Sequence, residues 1–354
     1  MYQGEKSMKL VSVVIPCFNA GQYLDEAVQS ALRQTWADLE VVIVDDGSTD
    51  ADTLRLLETA QWPRTRIFHQ SNGGPAAARN RAIREARGEY ILPLDADDTI
   101  DLTYVAKAAA TLDGRPEVGC VYCKAMKFGA EQGPWDLPPY NLYELVIDNV
   151  IFVTALFRKA DWQAVGGFDE QLRHGVEDYD FWVKMVASGK DVVQLDEYLF
   201  NYRIQQRSRT TRFQDDLDDK VATYANIFRS NNEFYVKHAE FLFRHRFGLY
   251  AQIEDWKQRY ADLKAMTDAR DAQQNDEGND NSHEADVRIR KLVARCNDLE
   301  ATLASCRAYW QGRYGKLDDF TNRHPVLRKT ARFAKSVIGP LRRDSLTKTQ
   351  EGSK

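Results

Sequence analysis

The chain opens its pattern with a continuous apolar run from Leu10 to Ile15, ending at Pro16. A run without alternation predicts a strand buried on both faces. Across 20–35, Leu24, Ala27, Val28, Ala31 and Leu32 recur at helical spacing. A second buried strand is predicted over 40–44, ending in Asp45-Asp46-Gly47-Ser48-Thr49-Asp50. A helix from Asp52 and a short third strand over 66–69 follow. Asn72-Gly73-Gly74-Pro75 then introduces a helix over 76–87, with Pro75 in its first turn and Gly88 as its stop. The next apolar run, from Tyr90, ends in Asp95-Ala96-Asp97-Asp98. Strand alternating with helix predicts an α/β fold with a doubly wound, mostly parallel sheet.

In such sheets ligands sit outside the carboxyl ends of the strands. Here those ends carry Phe18-Asn19, Asp45-Asp46 and Asp95-Ala96-Asp97. Asp95 and Asp97, two apart in extended chain, point the same way and repel each other unless a cation sits beside them. A divalent metal carrying a nucleoside diphosphate is one such cation. The Gly73-Gly74 turn lacks the Lys of a P-loop and the glycine pattern of a dinucleotide site, which favours a tight turn over a phosphate cradle.

Five motifs in order now carry a resemblance: VSVVIPCFN (11–19), VDDGSTD (44–50), NGGPAAARN (72–80), LDADD (94–98) and, after a Gly-Gly-Phe-Asp turn at 166–169, VEDYDFW (176–182). Together with an acceptor-side strand over 153–158, they resemble inverting glycosyltransferases of family 2, of bacterial polysaccharide type, which have the GT-A fold. The resemblance covers about 9–211. It implies a Rossmann-like nucleotide half and an acceptor half, with transfer of a sugar from a nucleoside-diphosphate donor to an acceptor hydroxyl. Pro16 would offer backbone and Phe18 a ring face to the base, and Asp46 would accept from a base N–H. Asp95 would touch the ribose, and Asp97 would ligate Mn2+ or Mg2+. Asp178 is expected as the catalytic base, with Glu177 second; Asp180 and Trp182 would be structural or line the acceptor. Bland alternatives stand beside these roles: Phe18 as a core aromatic, Asp46 as a helix cap, Asp178 as a helix-start acid. In the loop at 201–208 the family's His is replaced by Gln205, which puts the loop's part in the metal site in question, while Arg203 or Arg207 would be left to meet the diphosphate.

Two rival readings use the same residues. Leu94–Thr99 also fits the nucleophile motif of haloacid dehalogenase-like phosphatases, with Asp95 phosphorylated. There the motif sits on the first strand, and here three strands and three helices are predicted before it. A non-catalytic scaffold of the GT-A kind is the other rival, and intact Asp97 and Asp178 argue against it.

Composition excludes more than it identifies. A net charge of −5 carries no nucleic-acid signature, and no apolar run reaches the roughly 18 residues that cross a bilayer. With no apolar leader at the N-terminus, the expected location is cytoplasmic, peripheral at the inner face of the plasma membrane if the tail binds there. Five cysteines form no regular framework and read as reduced thiols. Cys120 and Cys123 look like a metal or redox pair but lie in a strand-like run without a second pair.

The predicted domains are a glycosyltransferase domain over 9–212, a helical extension over 213–267, a flexible linker over 268–285, a coiled coil over 286–320 and a basic tail over 321–354. The linker is polar and apolar-poor. Residues 289, 292, 296, 299, 303, 306 and 310 repeat at alternating three and four, the seam of a homodimeric coiled coil or of one amphipathic helix folding back. Between 323 and 343 the tail is basic without an acid, which fits an anionic membrane surface or, equally, a solvated or protein-binding tail. A membrane surface would suit a glycan or lipid-linked acceptor.

Overall fold

In the computed structural model the described residues are 9–173, 175–205 and 217–277. Arg207, the seam at 289–310, the rest of the coiled coil, the basic tail and positions 278–285 of the linker lie outside them. The chain divides into two units, Met1–Gly248 and Leu249–Lys354.

The first unit is built on one nine-stranded sheet. In chain order its elements are β1 (Val11–Cys17), α1 (Gly21–Leu32), β2 (Leu39–Asp45), α2 (Ala51–Thr59), β3 (Thr65–His69), α3 (Pro75–Glu85), β4 (Tyr90–Pro93), β5 (Thr99–Ile100) and α4 (Tyr104–Gly114). Then come β6 (Val118–Gly129), β7 (Gly133–Trp135), α5 (Leu142–Ile147), β8 (Leu156–Arg158), α6 (Lys159–Ala164), α7 (Glu177–Ala187), β9 (Asp191–Ile204), α8 (Leu217–Ser230), α9 (Asn232–Lys237) and α10 (Ala239–Glu277). The strand order is β3-β2-β1-β4-β8-β6-β9-β5, with β7 added to β6. The first four strands run parallel, the arrangement predicted from their unbroken apolar runs. β8 runs antiparallel to both β4 and β6, so the sheet is mixed where the second half begins.

β1 and β2 show why the pattern is continuous. Every residue of β2, and every residue of β1 except Pro16, is buried. α1 and α3 supply the cover, through Leu24, Ala27, Val28 and Ala31 from one helix and Ala76, Ala78, Ala82 and Ile83 from the other. The acceptor-side strand is shorter than the 153–158 expected, because only Leu156–Arg158 finds partners on both sides. Cys120 and Cys123 sit buried in β6 as free thiols, and burial raises both well above an ordinary thiol. They hold nothing.

Beyond the sheet, α8 and α9 pack onto α7. The Tyr235 hydroxyl donates to the Tyr179 hydroxyl (3.1 Å), and Asn231 Nδ2 donates to Asp180 Oδ1 (2.8 Å). α10 continues to Glu277, so 268–277, expected as flexible linker, is helix. The segment has few apolar residues but no Gly or Pro between Leu249 and Glu277, and Ala, Gln, Arg and Glu all favour continued helix. Polarity alone was the wrong signal there. No helix among the described residues is long and apolar enough to cross a membrane.

Candidate active site

The carboxyl ends of β1, β2 and β4 lie side by side: Cys17 is opposite Asp45, and Val14 is opposite Pro93. Asn19, the second residue after β1, adopts φ 51°, a left-handed conformation that Asn tolerates. Its Oδ1 accepts from the Thr49 and Asp50 amides (2.7 and 3.1 Å), and its own amide donates to Ser48 Oγ (3.0 Å). This ties the end of β1 to the turn after β2. Phe18 projects from that junction 49% exposed, which removes the core-aromatic reading.

Asp46 is buried, and its carboxylate is filled from within. Oδ1 accepts from Gln70 Nε2 and the Gly73 amide, and Oδ2 from the Gly74 amide, each at 2.8 Å. The glycine turn therefore aims its N–H groups at a side chain rather than a phosphate. Gly74 at φ 88° holds the conformation an L side chain resists, and Pro75 starts α3 immediately after it. Helix capping falls to Asp50, whose Oδ1 accepts from the Thr53 amide (2.8 Å). Asp46 is a clamp on the turn, and these contacts fill three of a carboxylate's roughly four acceptor positions, which leaves one on Oδ2.

After β4 the three acids occupy different surroundings. Asp95, a third exposed, pairs with Arg79 Nη2 at 2.5 Å. Asp97 Oδ2 accepts from Gln205 Nε2 (2.6 Å), so the loop lacking the family's His still reaches this carboxylate. Burial first, and then the Asp95 charge, raise Asp97 above an ordinary aspartate. Asp98 is fully buried and raised much further by the same two causes together with Asp97, while its Oδ1 accepts from the Arg203 amide (2.8 Å). Arg203 is engaged within the protein. Its Nε donates to the Asp97 carbonyl (2.8 Å), its guanidinium pairs with Glu26, and the Tyr23 and Phe128 rings flank it at 4.5 and 4.2 Å.

The second acid pair starts α7. Val176, at φ 57°, is β-branched in the left-handed region, a strained conformation of the kind that concentrates at functional sites. Glu177 is 2% exposed, with Oε1 at 2.5 Å from Arg79 Nη1. One buried guanidinium thus holds Asp95 and Glu177 together. Burial alone would depress Arg79; the two carboxylates more than offset it and keep it charged. Arg79 is the residue sequence reading missed. Its neighbour Asn80 fixes the Gly-Gly-Phe-Asp turn: Nδ2 donates to the Phe168 carbonyl (2.8 Å), and Oδ1 accepts from the Phe168 amide and Trp162 Nε1 (both 3.1 Å). A Cβ on Gly167 would meet that Oδ1 at 2.9 Å, so only glycine fits.

Asp178 is half-buried and opens into a cleft of about 200 Å³ shared with Arg79, Asp95, Asn149 and Glu177. Burial, then the Glu177 charge, push it up to about 6, against the opposing pull of Arg79, the Tyr179 amide and Asn149. A carboxylate near neutrality in a cleft is poised to accept a proton. Asp180 instead faces Asn231 and Lys184, and Trp182 is fully buried, so both are structural.

Among the described residues no three His, Cys, Asp or Glu side chains converge on one point that would hold a metal by themselves. A magnesium-like ion needs only one or two carboxylates when substrate phosphates complete its shell. Two like-charged carboxylates with raised proton affinity, the half-buried Asp97 and the buried Asp98, fit such an ion, and Asp97 is the more open of the two and lies beside Gln205.

Residues 12–163 match the family model Glycosyl transferase family 2. The chain is 36% identical over 190 residues to the chondroitin synthase of Escherichia coli, covering 52% of this chain and 27% of that protein. It therefore spans about a quarter of that relative's length. Among solved structures, TarS of S. aureus superposes with a TM-score of 0.52 at 24% identity, over 67% of this chain and 43% of that one. The mannosyltransferase PcManGT from Pyrobaculum calidifontis, in complex with GDP-Man and Mn2+, gives 0.50 at 21%, over 63% and 65%. These two likenesses carry the fold, which is of the GT-A kind that the motifs implied.

Proposed function

We propose, from the match of residues 12–163 to the Glycosyl transferase family 2 model, an inverting, metal-dependent glycosyltransferase. It moves a sugar from a nucleoside-diphosphate donor to a hydroxyl of a glycan or glycolipid. The observation that carries the reading is Asp178: a carboxylate raised to about 6, facing a cleft, beside an acid pair closed by one buried arginine. Asp178 takes the proton of the acceptor hydroxyl as that oxygen bonds to the anomeric carbon. The bond from that carbon to the diphosphate breaks with its electron pair on the diphosphate, and a single displacement inverts the centre. Glu177 is unsuited to this task because its carboxylate is paired with Arg79.

On the donor side, Phe18 offers its exposed ring and Pro16 its backbone to the base, with the Asp46 clamp shaping that pocket, while Asp95 lies toward the ribose. Mn2+ or Mg2+ at Asp97 would supply neutralisation of the charge that develops on the departing diphosphate. The relative's name, chondroitin synthase, makes a polysaccharide the natural acceptor class. Asp95 held by Arg79 is also a poor phosphatase nucleophile.

Melting temperature against UDP, GDP, dTDP and CDP, each with and without Mn2+, tests the reading on wild type and Asp97→Ala. One nucleotide should stabilise the wild type only with metal, and Asp97→Ala should abolish the shift. No response to any of them would bring the scaffold reading forward. The tail at 323–343 makes a peripheral site on the cytoplasmic face of the membrane part of the proposal. Deleting 323–354 should then abolish co-sedimentation with anionic vesicles, and unchanged sedimentation would reject the anchor.

A further inference from the structure

A second cleft, of about 350 Å³, lies along β6 and β9 and is lined by Tyr122, Lys124, Trp135, Gln194, Asp196 and Tyr198 among others. We propose that it binds a sugar ring of the acceptor glycan at some remove from the ring that reacts. The proposal rests on the transferase reading and extends it to what the enzyme selects.

The first support is backbone geometry. Along the β6–β9 ladder Cys123 pairs with Leu195, but Lys124 pairs with Tyr198 and Ala125 with Phe200. Asp196 and Glu197 are left over between the first two pairs, and Leu199 between the next. Bulges bend a strand and re-aim its side chains, and they gather beside functional sites. Here the two extra acids part company: Glu197 pairs with Lys107 on α4, whereas Asp196 pairs with Lys124 in the cleft. Tyr198 emerges 48% exposed with the Lys124 ammonium 5.8 Å from its ring centre.

The second support is chemistry. A pyranose presents C–H faces that lie against aromatic rings and a rim of hydroxyls that need both donors and acceptors. This cleft offers the rings of Tyr198 and Trp135, with Gln194, Asp196 and Lys124 between them. Its one cation is already paired with Asp196, so the lining does not suit a diphosphate. Burial pushes the Cys123 thiol up to about 12, so the lining offers no nucleophile either.

The third support is continuity. Trp135, Leu137 and Phe152 line both this cleft and the one that holds Asp178. Trp135 stacks on Tyr202 at 4.5 Å and on Phe152 at 6.2 Å, and Phe152 lies 4.5 Å from Phe200. The wall between the clefts is therefore a fixed aromatic partition. A chain of sugars whose terminal hydroxyl reaches Asp178 can pass over it into the second cleft.

The test uses the full chain on an array of immobilised oligosaccharides of one to six sugars, chondroitin and hyaluronan fragments included, with nucleotide and Mn2+ thermal shifts measured in parallel. Wild type should retain oligosaccharides of three or more sugars. Tyr198→Ala and Asp196→Ala should each weaken that retention roughly tenfold, Tyr198→Phe should keep it, and the nucleotide shift should persist in all. Retention unchanged in both alanine variants, or no oligosaccharide retained by wild type, overturns the subsite. Loss of the nucleotide shift in the variants also overturns it, by assigning the cleft to the donor. A wild-type nucleotide shift that survives such a failure leaves the transferase reading standing, whereas its absence sinks that reading separately.

Discussion

Asp178→Asn should lower kcat for sugar transfer about 10²–10⁴-fold and yield a protein that is more stable than wild type at pH 7.5. Both effects follow from one carboxylate. Burial and the Glu177 charge raise Asp178 from 3.8 to about 6. With the folded-state value above the unfolded one, the native state holds the proton more tightly. That contribution to stability is fully present below about pH 4 and is lost as pH rises through about 6. The ionised group thus costs the wild type up to about 3 kcal/mol at pH 7.5, and Asn, neutral throughout, avoids it. Urea melts at pH 7.5 and pH 4 should show the Asn variant ahead at the first and level at the second. The kinetic counterpart is a wild-type kcat/KM that falls tenfold per unit below about pH 6 and is flat above it. Wild-type turnover in the variant, or a variant less stable at pH 7.5, would remove Asp178 from the role of base.

The residues that made this site legible are those whose surroundings permit only one pattern. β1 and β2 read correctly because strands covered on both faces have no polar face to show. The apolar run predicts an end to β1 at Pro16, yet the strand continues to Cys17. β4 contributes no partner beyond Val14, so a missing N–H on that side breaks no ladder bond. The polar length of β9 and the two-residue β5 carry no period, because bulges reset the alternation that strand reading relies on. The acid-rich motifs pointed to the neighbourhood of the chemistry and, through resemblance, to roles. Resemblance places Asp178 ahead of Glu177, and the contacts differ in the same sense: Arg79 engages Glu177, while Asp178 lines the cleft. Asp46 is the opposite case: an acid expected to accept N–H groups does accept them, from Gln70, Gly73 and Gly74, partners that no local pattern announces. Arg79 did leave a trace in the sequence. It shares a helix face with Ala76 and Ile83, both buried, and a charge on the inward face of α3 implies a buried partner. What could not be read was which acids would meet it, since Asp95 and Glu177 arrive from β4 and α7.

Arg79→Ala should therefore be the most destabilising single change at the site, at about 3–5 kcal/mol. The guanidinium is 2% exposed and bonds two carboxylates at 2.5 Å each. Its removal leaves Asp95 and Glu177 facing a void with their mutual repulsion uncompensated. Lysine restores one charge but not the two-pronged geometry, so Arg79→Lys should recover only part of the loss. Arg79→Met combined with Glu177→Gln should regain more than the sum of the single changes predicts, because it removes the charge that the arginine was compensating. A kinetic signature accompanies this. The Arg79 charge is one of the influences that hold Asp178 down, so in Arg79→Gln, which removes that charge and is assayed at a temperature where it is folded, the acid limb of the rate profile should move above pH 6. A variant that loses stability with an unmoved acid limb would confine Arg79 to the scaffold, whereas a moved limb makes it the residue that sets the proton affinity of the base.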